Sequence, residues 1–531
     1  MESSPVRRLS LYVKIMLIGL IISSTPLSRP YGYPAAAGAS SPQSYFFPLI
    51  YQFSTYDWLQ FNGNATHSGN NLFETSLAAS NVAQLQILFQ VPLPGVADGA
   101  PVYLSAVSTP SGARDLIFAT TRQGHIVALD AHTGMLAWSK QYDAAGCLIN
   151  KNLTRNETCY TTSSPAIDPD RKFIYSYGLD GYVHKYAVGD GAEVKTAGWP
   201  ELTTLKPYDE KGSSALGIAT AADGASYLYV AQSGYPGDAG NYQGHITAIN
   251  LADSTQKVFN ALCSNQPVHF VDSRITSGPD CYPETMAAIW ARPGVVFDPY
   301  HDRILMTTGN GTFQPSGFLW GDTVFSLNID GSSSNGNPLD SYTPLDYQHL
   351  QDTDLDLGST APAILPPASG KYPHLAVQGG KDGVLRLLDL DQLSGQSGVG
   401  HTVGEVFFMP VPMGGLILTQ PAVWVNPADG STWVFVSDAN GLAALQLTIN
   451  PSGDPSLALK WVSSGGTSPL VANGVVYIAH SGKISALKAT DGSLLWSNTS
   501  IGAIHWESPI VAQGVLYITD QGGKMTAYAL P

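Results

Sequence analysis

Along most of the chain the apolar positions alternate with polar or small ones in steps of two, as in VLYITDQGGKMTAYA near the end, where every second side chain is apolar. A period of two places alternate side chains on opposite faces of an extended strand, whereas a helix would need apolar residues at i, i+3 and i+4. No sustained helical stripe follows the first forty residues. The strands come in pairs. Segments such as LIFATT, YLYVAQSG, HLAVQGG, VVYIAH and VLYITD are each followed, after a glycine-containing link, by a second alternating segment, the pattern of a β-hairpin.

The second segment is a repeat. Its fullest copies are GHIVALDAHTGMLAW from Gly124 to Trp138 and GKISALKATDGSLLW from Gly482 to Trp496. Six shorter copies begin at Gly181, Gly244, Gly321, Gly383, Gly441 and Gly523. A further short segment precedes most pairs: SSPAID, STAPAIL, TQPAVW, TSPLVA and ESPIVA. With the strand that carries the terminal aromatic, each unit has four strands, the size of one blade of a β-propeller. The fold class expected is therefore all-β, an eight-bladed propeller with tryptophan-docking repeats spanning 55–531. Because the last copy runs to Pro531, an early strand near Tyr56-Asp57-Trp58 is expected to close the last blade and remove its free edge. Copies are spaced furthest apart between Gly244 and Gly321, which places long insertions in the early blades.

Composition supports a large core with many turns: 44% of residues are hydrophobic, only 13% are charged, and there are 54 glycines. The net charge of −15 argues against nucleic acid or anionic lipid as partner. The first residues depart from the rest. Arg7, Arg8 and Lys14 precede an apolar run from Ile15 to Ile22 and a small-residue stretch ending at Ala35-Ala36-Ala37, the layout of a secretory signal. The run is shorter than the roughly 20 residues of a spanning helix. We therefore expect a signal peptide and leader over 1–37, a linker over 38–54, and a periplasmic or extracellular protein, with an uncleaved membrane anchor as the alternative. In that compartment Cys147 with Cys159 and Cys263 with Cys281 read as two local disulfides. No C-x-x-C-H is present for a c-type haem.

The segment Ala128-Leu129-Asp130-Ala131-His132-Thr133-Gly134 through Trp138 resembles the tryptophan-docking repeat of quinoprotein (pyrroloquinoline-quinone, PQQ) alcohol dehydrogenases. A non-catalytic propeller lipoprotein of outer-membrane assembly shares that repeat. Three central segments resemble dehydrogenase motifs. Thr308-Gly309-Asn310-Gly311 matches the family's T-G-N, which would make Asn310 a Ca²⁺ ligand. Leu355-Asp356-Leu357-Gly358-Ser359-Thr360-Ala361-Pro362 matches W-D-Y-x-x-x-x-P, which would make Asp356 the catalytic base. Gly379-Gly380-Lys381-Asp382-Gly383 is similar to a segment ending K-N-G, which would make Lys381 a quinone contact. The resemblance also points to Trp290 as a stacking platform. The family's Glu ligand falls near Ser233–Gly240, where Asp238 is the available carboxylate; the family's adjacent Cys pair is absent.

The residue types suit that chemistry, since Ca²⁺ takes oxygen ligands and a carboxylate accepts a hydroxyl proton. Each also has a structural reading: a Gly-Asn-Gly turn for Asn310, a solvated acidic loop for Asp356 beside Asp352 and Asp354, an exposed hairpin for Lys381, and core packing for Trp290. His505-Trp506-Glu507, ahead of Ser508-Pro509, has a place in the repeat that could point it at the channel of the last blade. Two functions stay open. One is a PQQ- and Ca²⁺-dependent oxidoreductase of an alcohol or sugar-like polyol that passes electrons to an external acceptor. The other is a cofactor-free scaffold that binds protein or glycan.

Overall fold

The computed structural model describes residues 55–142, 146–149, 157–236, 238 and 240–531, which belong to a compact unit spanning Ser54–Pro531. The expected signal peptide at 1–37 and linker at 38–54 lie outside the described residues. Among the described residues, eight sheets each carry four antiparallel strands, consecutive in all but the last, which makes the chain an all-β, eight-bladed propeller. Blades 1 to 7 occupy residues 102–141, 166–202, 217–260, 296–342, 363–410, 422–463 and 470–498. Blade 8 takes three strands from 510–529. The short segments read as preceding each hairpin are the innermost strands, for example Ala363–Ile364, Leu470–Ala472 and Ile510–Ala512.

The closing strand is not where the sequence reading put it. Gln86–Pro92 pairs antiparallel with the last strand, Lys524–Ala529, and completes blade 8 from its outer edge. Its alternation of Ile87, Phe89 and Val91 carries the same period-two signal as the repeats. Trp58 instead exchanges two backbone hydrogen bonds with Tyr103 in the innermost strand of blade 1. From there the chain circles the propeller axis. The carbonyls of Leu59, Ala65, Ser68 and Gly69 accept from Ile167, Phe297, Val423 and Val471, and the amides of Gln60 and Asn71 bond the backbones of Ile218 and Val511. These are the innermost strands of blades 2, 4, 6, 7, 3 and 8. One segment of fourteen residues, 58–71, therefore satisfies inner edges that would otherwise leave backbone groups unpaired.

Neighbouring blades are joined by their outer aromatics. The Trp138 indole of blade 1 donates to Val188 O of blade 2 at 2.8 Å, and Trp461 of blade 6 donates to Ala489 O of blade 7 at 2.9 Å. Trp138 lies against Gly191, whose φ of +68° and lack of a Cβ admit the ring. The turn itself is held by Asp130, whose carboxylate accepts from the amide and hydroxyl of Thr133. Trp496 of blade 7 donates to Leu85 O, just ahead of the closing strand, and packs edge-on to Tyr528 at 5.0 Å.

Both disulfides form as the sequence reading paired them, with Cα separations of 5.5 and 5.9 Å. One helix, Tyr347–Thr353, was not expected; it lies in the link between blades 4 and 5, too short for a periodic stripe to announce it. Among the described residues no helix is long and apolar enough to cross a membrane.

Trp496 ties the two ends of the chain together, so Trp496→Ala should lower the unfolding free energy by about 3–5 kcal/mol, the usual cost of truncating a buried aromatic. Urea denaturation followed by circular dichroism measures this; a change below 1 kcal/mol would show that ring closure does not depend on the indole.

Candidate functional site

In an antiparallel blade the turns alternate between the two ends, so links between blades share one end with the hairpins joining second and third strands. Seven such loops converge on a cavity of about 330 Å³. The link from blade 1 to 2 supplies Tyr160 and Thr162, that from 2 to 3 supplies Lys211 and Ser213, and that from 3 to 4 supplies Trp290 and Arg292. The link from 4 to 5 brings Asp354 and Asp356, and that from 7 to 8 brings His505 and Trp506. Hairpins of blades 3 and 5 add Tyr235 with Asp238, and Lys381. Each disulfide sits in an inserted loop just ahead of one of these contributions, where a staple shortens the loop's conformational freedom.

Of the five residues singled out from the sequence, Asp238, Trp290, Asp356 and Lys381 line this cavity, and Asn310 stands directly behind Asp356. Asp356 is 5% exposed, so the solvated-loop reading does not hold for it, although it does for Asp352 and Asp354. The Asn310 amide donates to Asp356 Oδ1 at 2.6 Å, and Lys381 Nζ lies 2.5 Å from Asp356 Oδ2 and 2.8 Å from Asp354 Oδ1. The ammonium also sits over the Trp290 ring at 5.1 Å. Gly309 makes this meeting feasible: a Cβ there would collide with the Asp356 carboxylate and crowd the Trp290 indole nitrogen. The glycine of the T-G-N segment is thus a close-approach position. Asn310 is not free turn chemistry either, since it is buried and its Oδ1 has no hydrogen-bond partner.

Burial pushes the Asp356 carboxyl above the ordinary range against the opposing pull of Lys381 and the Asn310 amide. For Lys381 burial acts downward, but the two carboxylates outweigh it and the ammonium is held above its usual pKa. Asp322 supports the loop from behind, accepting from the Leu357 amide at 3.0 Å; burial raises its carboxyl well above normal. Asp238 accepts from the Tyr242 hydroxyl at 2.7 Å.

In the other half of the cavity the sequence reading had named only His505 and Trp506, and both line it. Arg292 is 4% exposed and donates to the carbonyls of Ser213 and Thr162, both at 2.9 Å; among the described residues its Nε has no partner and no carboxylate forms a salt bridge with it. Lys211 is 7% exposed, has no ion pair among the described residues, and faces the rings of Tyr160 and Tyr235 at 4.6 and 5.9 Å. Burial lowers its pKa to about 7 and that of Arg292 to about 10. Trp506 stands edge-on to Trp290 at 6.3 Å. The buried Asp98 carboxylate favours the charged form of both groups, and Glu507 that of Arg292, but among the described residues neither forms a salt bridge with them, which leaves this end of the cavity able to receive a further anion. At the acidic end, one ammonium faces Asp238, Asp354 and Asp356 together with the orphan Asn310 oxygen, which leaves room for a cation.

Solved structures share this architecture. A quinohemoprotein alcohol dehydrogenase from Pseudomonas putida superposes with a TM-score of 0.59 at 14% identity, over 89% of this chain and 80% of its own. A europium-containing methanol dehydrogenase gives 0.60 at 13%, over 89% and 98%, and a quinohemoprotein alcohol dehydrogenase from Comamonas testosteroni gives 0.56 at 15%, over 89% and 80%. The likeness is one of fold. A family model described as outer membrane protein assembly factor BamB matches residues 423–530, the last three blades. A search of curated protein sequences finds no match.

Lys211 gives the cavity a measurable signature. Its ammonium titrates near pH 7 when folded and near 10.5 when unfolded, so between those values the unfolded chain holds a proton that the folded one lacks. Stability relative to Lys211→Met should therefore rise with pH through that window and stay level below it. Urea unfolding of both proteins from pH 6 to 10 tests this; a constant difference would place the amine in water.

Proposed function

We propose that the protein is an exported, PQQ- and Ca²⁺-dependent dehydrogenase of alcohols or sugar-like polyols. The observation that carries this reading is the division of charge across one aromatic-walled cavity: Lys211 and Arg292, buried and without a salt bridge among the described residues, on one side, and Asp238, Asp354 and Asp356 on the other, with the unpartnered Asn310 oxygen behind Asp356. Trp290 would supply the apolar wall for the flat quinone, and Lys211 and Arg292 would be the groups to hold its carboxylates. The hard oxygens of Asn310 and Asp238 suit Ca²⁺, which takes carboxylate and amide ligands. PQQ beside such a cation supplies an acceptor for the hydride that leaves the substrate carbon.

The chain's own residues have separate tasks. Asp356 accepts the proton of the substrate hydroxyl, and its raised pKa makes it a better base than a solvated carboxylate. Lys381 donates a hydrogen bond to the oxygen where negative charge develops, and its pairing with Asp354 and Asp356 holds it there beforehand. Trp290 fixes the plane of the bound ring. Burial by the surrounding loops keeps water away, which strengthens each of these charges. Export is supported by the basic and apolar leader and by two disulfides, which persist in oxidising compartments. Electrons would leave to an external acceptor.

Reconstitution of the purified protein with PQQ and Ca²⁺ is expected to give bound-quinone absorbance and dye-linked alcohol oxidation. Asp356→Asn should keep the quinone and lower turnover by about 10²–10⁴-fold, the usual share of a general base. Asn310→Ala should weaken Ca²⁺ and quinone together. Wild-type protein that takes up no PQQ at saturating Ca²⁺ would overturn the proposal and leave the protein- or glycan-binding scaffold.

A further inference from the structure

At the end of the propeller opposite the cavity, three turns meet across the seam between blades 4 and 5. His301 comes from the first turn of blade 4, His374 from the first turn of blade 5, and Asp391 from its last turn. We propose that these three side chains bind a divalent transition-metal ion of the zinc type and clip the two blades together. One ligand atom from each lies within 4.8 Å of the others, and no other group of three His, Cys, Asp or Glu does so among the described residues.

The hydrogen-bond geometry points the right atoms inward. His301 Nδ1 lies 2.8 Å from Asp298 Oδ2, and Asp298 is fully buried and held by Arg303 Nε at 3.0 Å. That bond commits the Nδ1 proton of a neutral imidazole, so the lone pair is on Nε2, which faces Asp391 Oδ1 at 2.8 Å. His374 Nδ1 faces the same oxygen, also at 2.8 Å. With Nδ1 protonated, Nε2 faces a carboxylate oxygen favourably only as an imidazolium N–H or when a metal ion takes the place of that proton. A carboxylate behind a histidine is also the outer-sphere arrangement that orients metal-bound imidazole. The rings are fixed: His374 stacks on Tyr300 at 4.3 Å, Tyr300 donates to Leu365 O across the seam at 2.7 Å, and the two imidazoles stand at 90°.

Two imidazoles and one carboxylate favour Zn²⁺, Co²⁺, Ni²⁺ or Cu²⁺ over Mg²⁺ and Ca²⁺. Bonds of 2.0–2.1 Å in a tetrahedron separate ligand atoms by about 3.3 Å, so the two N···O distances of 2.8 Å would lengthen by about half an ångström. All three residues sit on turns at the surface, where that adjustment is small, and the remaining position would hold water.

The test uses the full protein stripped of metal with EDTA and kept in saturating Ca²⁺, so that the cavity is not the site read. Titration with Co²⁺ is expected to give a one-to-one complex with visible d–d absorption, displaced by Zn²⁺, and Zn²⁺ should raise the melting temperature. His374→Ala, His374→Gln and Asp391→Asn should each weaken Co²⁺ binding at least ~100-fold, and Asp298→Asn about 10-fold, the range of outer-sphere changes. Absence of one-to-one Co²⁺ binding by wild type, or binding that survives both His374 variants, would overturn the proposal. Neither result depends on whether the cavity takes a quinone.

Discussion

Eight innermost strands point their free edges at one axis, and the unpaired backbone groups along them must find partners. The segment from Trp58 to Asn71 supplies these for seven of the eight blades within the described residues, by main-chain bonds and by the amides of Gln60 and Asn71. A backbone donor or acceptor left bare in such a place costs on the order of 1–3 kcal/mol. The axis is thus filled with protein along part of its length. Phe61 of this segment packs on Ala100 and Ala215, each two residues from Asp98 and Ser213, whose carbonyls surround the Arg292 guanidinium. The cavity therefore has a floor.

Rigidity at the rim follows from how the ring is held. Each docking indole is hydrogen-bonded to the next blade, and the last seam is closed by a strand from the other end of the chain. Loops rising from such a ring are anchored at both ends by sheet, and the longest are shortened by disulfides. Loops so anchored can hold charges that would collapse together or turn to solvent on a softer scaffold. Asp356 illustrates this. Its carboxylate is pinned by the Asn310 amide on one oxygen and Lys381 on the other, within a gap that only Gly309 leaves open.

The seam between blades 4 and 5 shows a second use of the same geometry. There the turns at the opposite end approach closely enough for Tyr300 and Arg303 to reach blade 5 carbonyls, and the histidine pair with Asp391 occupies the polar margin of that contact. The two ends of the propeller are chemically unlike: aromatic and bipolar at the cavity, imidazole and carboxylate at the seam.

Sequence alone determined the blade count, the strand order within each blade and the disulfide pairs, because period-two alternation, turn glycines and short cysteine spacings are local properties of the chain. It also named Asn310, Asp356, Lys381, Trp290 and Asp238, since each lies in a short motif that can be read without knowing what faces it. The closing strand was missed because several early segments alternate, and only pairing with Lys524–Ala529 selects Gln86–Pro92 among them. Lys211 and Arg292 were invisible as a pair for a similar reason. They lie in links separated by some eighty residues, each unremarkable in its own stretch. What makes them a site is that the ring brings the links around one axis and buries both charges without a salt bridge among the described residues, and burial and separation in space are decided only by the tertiary structure.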